Sequence, residues 1–169
     1  MNLFYGGDAP KTPSGNFCWV RTKFVRESGP WYAPAIKGPF GVVELLNEHL
    51  DLENADREMF IVLYLDMKRN VSYAQVNSVG GLHSALVHPR EVFRTALLTN
   101  CNSVILVHNH PSGNPAPSKE DISLTDVLID AGEVLGIEVL DHIVVGYQSY
   151  VSFHQEGLLK SRQGKGGRI

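Results

Sequence analysis

Long apolar runs alternate with short polar breaks along the chain, and the period of each run predicts its structure. The segment "MFIVLYLD", residues 59–66, is almost continuously aliphatic or aromatic and reads as a buried strand. The turn "MKRN" and the alternating stretch "VSYAQVNSV" follow it, which predicts an antiparallel hairpin. "SVILV", from Ser103, is a second short buried strand, and "IEVLDHIVVG" with "YVSF" predicts a closing pair across "YQS". Elsewhere the period is helical. Val42, Leu45, Leu46, His49 and Leu50 share one face of residues 40–50, and Val92, Phe93, Ala96 and Leu97 share one face of "HPREVFRTALLTN", whose proline lies near the helix start. A third helix opens at Ser118, places Ile122, Leu124, Leu128, Ile129 and Leu135 on its apolar side, and stops at Gly136. Strands and helices interleave behind one hairpin. The expected fold class is α/β: a mixed sheet flanked by helices on both faces.

Length and charge refine this picture. A chain of 169 residues with 43% apolar content can bury a sizeable core, enough for one domain. Residues 1–39, rich in Pro and Gly with the strand-like "NFCWVRTKFV", read as an N-terminal arm; residues 40–159 form the domain, and residues 160–169 a basic flexible tail. The formal charge of −3 is uneven: the arm holds five bases and two acids, the domain six bases and sixteen acids, the tail four bases. An acidic body lacks the clustered basic face that displaces counterions from duplex phosphates, so nucleic acid is at most a partner of the ends. No run approaches the ~20 apolar residues of a membrane span, and the N-terminus lacks a basic-then-apolar leader, so a cytoplasmic protein without a membrane partner is expected. Cys18 and Cys101 stand alone, which leaves only nitrogen and oxygen ligands for a metal.

The stretch "VILVHNHPSGNPAPSKED", residues 104–121, turns from aliphatics into chemistry. Side chains two apart on extended backbone share a face, so His108 and His110 can approach one cation together while Asn109 points away. A catalytic zinc site takes three protein ligands and a water. Asp121, at the third position of the helix that Ser118 opens, can supply the third ligand, with the loop "PSGNPAP" bringing that helix start over the histidines. Ser118-x-x-Asp121 fits a helix capping box equally well, and capping and ligation by one carboxylate are compatible. Metal-activated water also needs a base, and Glu58, just before "MFIVLYLD", is the candidate, although acids abound in residues 51–58 and most are solvated. The literal "HNH" does not make a nuclease, whose signature letters stand for dispersed positions. H-E-x-x-H, P-C-x-x-C, G-x-S-x-G and P-loop patterns are absent.

Glu58, then His108-x-His110, seven residues, then Ser118-x-x-Asp121 resembles the JAMM motif of JAB/MPN-type metalloproteases, and "VHNHPSGNPAPSKED" with "VLDHIVVG" is similar to the RadC branch. The resemblance covers about residues 40–159. It implies a curved mixed sheet of cytidine-deaminase-like arrangement and one Zn2+ per chain held by His108, His110 and Asp121. It further implies Glu58 as general base and then acid, with Ser118 stabilising the oxyanion. The activity implied is that of a metallohydrolase, a peptidase or isopeptidase acting on a peptide or protein substrate. Two other functions compete with it: a DNA-associated accessory protein of repair or of a mobile element, as the RadC label suggests, and a non-catalytic MPN scaffold. Longer RadC-like proteins place a helix-hairpin-helix region before this domain, and "APKTPSGNFCWVRTKFV" shows no such pair. Of the adjacent Asp141 and His142, at most one is expected to face the site. His83, Ser84, His88 and Arg90 are expected at a loop and helix entry.

Overall fold

The computed structural model describes residues 36–80 and 87–160. The strand-like part of the arm, His83, Ser84 and all of the basic tail but Lys160 lie outside the described residues. The elements run α1 (Gly38–Leu50), β1 (Met59–Leu65), β2 (Val71–Val79), α2 (Pro89–Thr99), β3 (Ser103–Asn109), α3 (Lys119–Leu135), β4 (Glu138–Gly146) and β5 (Ser149–Ser152), with a 3-10 turn at Leu52–Asn54. The five strands form one sheet in the order β2-β1-β3-β4-β5. Among the described residues only β3 and β4 pair in parallel, as they must when a helix, here α3, carries the chain back to the same end of the sheet.

The apolar run of β1 divides its side chains between two cores. Ile61, Leu63 and Leu65 join Ile105, Val107, Ile143 and Val145 under Val42, Val43 and Leu46 of α1. Phe60, Val62 and Tyr64 join Val104 and Leu106 under Val92, Phe93 and Ala96 of α2 and Leu124 and Leu128 of α3. Alternation along β1 thus feeds both faces, and full burial of each such side chain is worth ~1.5–3 kcal/mol. The expected mixed sheet between helices is what forms.

The helix faces are narrower than their sequences suggest. His49 and Leu50 are exposed at the end of α1, Leu97 is exposed on α2, and Leu135 is exposed at the end of α3. His88 caps α2, its Nδ1 accepting from the Arg90 N–H at 3.3 Å, so this stretch is a helix entry as expected. The strand expected at "SVILV" runs two residues further, so His108 and Asn109 lie within β3 instead of after it.

Beyond β3 the chain folds tightly against the end of β4. His110 N–H donates to Val145 O at 2.8 Å, Gly113 N–H to His110 O at 2.9 Å, and Tyr147 N–H to Gly113 O at 2.9 Å. Gly113 has φ +81°, a left-handed conformation that glycine adopts without a steric penalty. The approach requires a second glycine: a Cβ at Gly146 would stand 2.4 Å from Gly113 O and 2.8 Å from Pro115 Cδ.

Candidate metal centre

The site lies where the carboxyl end of β3, the start of β1 and the first turn of α3 converge. His108 comes from β3, His110 from the residue beyond it, Glu58 from the residue before β1, and Asp121 from the third position of α3. One ligand atom from each of the four lies within 4.8 Å of all the others. His108 and Asp121 are buried, and Glu58 and His110 are half-buried. The strand end and the helix start, separated by the proline-rich loop, meet as expected.

Asp121 also caps its helix. Ser118 Oγ accepts from the Asp121 N–H at 3.1 Å, while Asp121 Oδ2 accepts from the Ser118 N–H and from its hydroxyl, both at 2.7 Å. The capping reading of Ser118-x-x-Asp121 is what forms, and the reciprocal cap leaves the carboxylate aimed at the histidines. Burial alone would raise the Asp121 carboxyl, but His108, His110 and the Ser118 hydroxyl outweigh it and hold the group far below the usual carboxylate range. The N-terminus of α3 adds favourable field of the same sign.

The outer faces of the two histidines decide what their inner faces offer. The Thr125 hydroxyl donates to Asp121 O at 2.6 Å, so toward His142 it can only accept, and His142 Nδ1–H donates to it at 2.6 Å. Burial, with His108 beside it, drives the His142 pKa well below its usual value, so this ring is neutral and its Nε2 is an acceptor. His108 Nδ1–H donates to that atom at 2.8 Å. His110 Nδ1–H donates to Asn114 O at 2.8 Å. Both rings spend their Nδ1 proton outward, which leaves both Nε2 lone pairs facing inward.

The two Nε2 atoms are 3.1 Å apart, with Asp121 Oδ1 3.4 Å from His108 Nε2 and Asp121 Oδ2 3.5 Å from His110 Nε2. Lewis bases gathered this closely repel one another until a cation stands among them. A proton is one such cation, and the Asp121 carboxylate raises the His110 pKa above its usual value against the effect of burial. A divalent ion is the other. Two imidazoles and a carboxylate, with a further carboxylate at hand, are a donor set that borderline divalent metals accept. The residues present fit a metal ion.

Asp141 and His142 separate as strand alternation requires. Asp141 faces away from the histidines and accepts from the Ser152 hydroxyl at 2.5 Å and the His154 N–H at 2.9 Å. His142 packs between Phe153 and Phe60 and supports His108. Thr125 was not anticipated from sequence. Its one available signal is position, since it lies one helical turn after Asp121 on the same face. Thr125→Val keeps the shape but leaves the His142 Nδ1–H buried and unpartnered, and metal affinity should fall by ~10- to 100-fold. Competition titration with a zinc-chelating dye measures this, and unchanged affinity would refute the relay.

Comparison with known proteins places the chain in a family. A family model described as the RadC-like JAB domain matches residues 36–158. The chain is 51% identical over 126 residues to the "UPF0758 protein" of Syntrophomonas wolfei, covering 73% of this chain and 54% of that protein. It is 46% identical over 132 residues to the protein of that name from Desulfitobacterium hafniense, covering 78% and 57%. With that from Methanosarcina mazei it shares 52% over 104 residues, covering 62% and 45%. The chain spans about half the length of the curated relatives it matches. With the family model matched from α1 to the turn after β5, the chain belongs to the RadC-like JAB domain family.

Proposed function

We propose that this domain is a zinc-dependent hydrolase of peptide or isopeptide bonds. The observation that carries the reading is the convergence of two inward imidazole lone pairs and a cap-held carboxylate, with Glu58 beside them. His108, His110 and Asp121 would hold the ion, which when bound supplies Lewis acidity to a scissile carbonyl and acidifies water. Glu58 takes the proton of the attacking water as its oxygen bonds to the carbonyl carbon. It then returns that proton to the amine nitrogen as the C–N bond breaks. The Ser118 hydroxyl, now directed at Asp121 Oδ2, is close enough to the ligand set to turn its proton toward a developing oxyanion.

Purified protein dialysed against buffered zinc should carry about one ion per chain. In that form it should cleave members of a mixed-sequence, internally quenched peptide library or of a matched set of lysine-ε-linked isopeptides. Absence of zinc binding would overturn the reading. The convergence of Glu58, His108, His110 and Asp121 speaks against a non-catalytic scaffold. A duplex-binding accessory role is disfavoured by the sixteen acids of the domain against six bases. Among the described residues no helix is long and apolar enough to cross a membrane.

A further inference from the structure

Asn109 stands between the two histidines in sequence but faces the opposite way, is almost fully buried, and takes no part in the donor set. Its carboxamide reaches across to the residues on either side of Glu58. Asn109 Oδ1 accepts from the Met59 N–H at 2.8 Å, and Asn109 Nδ2 donates to Arg57 O at 3.1 Å. We propose that Asn109 is the positioning residue for Glu58, fixing the direction in which the carboxylate leaves the backbone. This rests on the reading of Glu58 as the general base.

The physical case concerns the two peptide planes that flank one Cα. The plane between residues 57 and 58 is held through the Arg57 carbonyl, and the plane between 58 and 59 through the Met59 N–H. Glu58 O, in the second plane, also accepts from the Gly80 N–H at 2.8 Å. With both planes anchored, φ and ψ of Glu58 are set, and with them the Cα–Cβ direction toward the histidines. Main-chain pairing does not provide this anchoring from β3. The β1–β3 ladder stops at Phe60 and His108, and His110 turns away to donate to Val145 O on β4. The carboxamide carries the same donor and acceptor as a peptide group, so it supplies the next rung after the backbone has departed. Asp at 109 could only accept and would set a carboxylate against Arg57 O; Ala would leave both backbone groups without that partner. One strand end thus sends His108 to the ion and Asn109 to the base.

The test needs no substrate. Zinc is titrated into protein labelled with 13C at glutamate carboxyls, with the Glu58 resonance identified by its loss in Glu58→Gln. In the wild type that resonance should move on saturation with zinc. In Asn109→Ala, which keeps His108, His110 and Asp121, zinc should still bind at about one per chain while the movement of the Glu58 signal falls by about half or more. Asn109→Asp should behave similarly and carries the comparison if Asn109→Ala fails to fold. A full wild-type movement in either folded variant would overturn the role of Asn109 and leave Glu58 as the base. No movement in the wild type would instead remove Glu58 from the site. On any peptide that the wild type cleaves, kcat of Asn109→Ala should drop ~10- to 100-fold at unchanged KM, and the substitution should cost nothing further in a Glu58→Gln background.

Discussion

Glu58→Gln should give a folded protein that binds zinc as the wild type does and cleaves peptides ~100- to 10,000-fold more slowly. The separation of the two effects follows from the proposed roles. In the proposed assignment His108, His110 and Asp121 are the ligands and Glu58 is not, and glutamine is nearly the same size as glutamate, so the half-buried position should tolerate it. What is removed is the basic oxygen that, in the proposed mechanism, accepts a proton from water and later returns it to the amine. Parallel metal analysis and single-turnover cleavage on the same preparation measure both quantities. If Glu58→Gln also lost its zinc, Glu58 would be a ligand and not the base; if it kept full turnover, the proton would have to travel by another group.

Asp121 should yield the largest loss of metal, in a way that two substitutions can divide. Asp121→Asn retains an oxygen able to accept from the Ser118 N–H, so it keeps much of the helix cap while giving up the charge that the ion requires. Asp121→Ala gives up both. Zinc stoichiometry should therefore fall from about one to near zero in both variants, whereas thermal unfolding of the metal-free proteins should show Asp121→Ala less stable than Asp121→Asn by ~1 kcal/mol. Zinc retained by Asp121→Asn would reduce the carboxylate to a structural cap.

The parts of this molecule that sequence made readable are those set by local period. The β1 segment "MFIVLYL" could hardly be other than a buried strand, and residues two apart on an extended chain had to bring His108 and His110 to one side. Asp121 at the third helical position was readable for the same reason, because a cap fixes its direction locally. Asn109 and Thr125 were not. The role of Asn109 depends on the register of β1 against β3, fifty positions apart, and no pattern within either strand encodes that register. Thr125 acts through a ring delivered by β4, and a buried threonine on a helix looks the same with or without such a partner. The apolar faces of α2 and α3 are narrower than periodicity implies, because periodicity counts Leu97 and Leu135 as core whether or not another element covers them.

Gly146 gives the site a point of failure that no inventory of ligands would reveal. Its missing side chain is the space in which Gly113 O and Pro115 sit, and through them the loop that sets His110 against Asp121. A methyl group there would lift the loop and part the two ligand sets without altering any residue of the motif. Among related sequences, then, an intact set of histidines, acids and serine does not by itself mark a chain able to hold an ion. The residue opposite the loop has to be read with them, and sequence drift at that position offers a lineage a way to abandon the chemistry while its motif still looks whole.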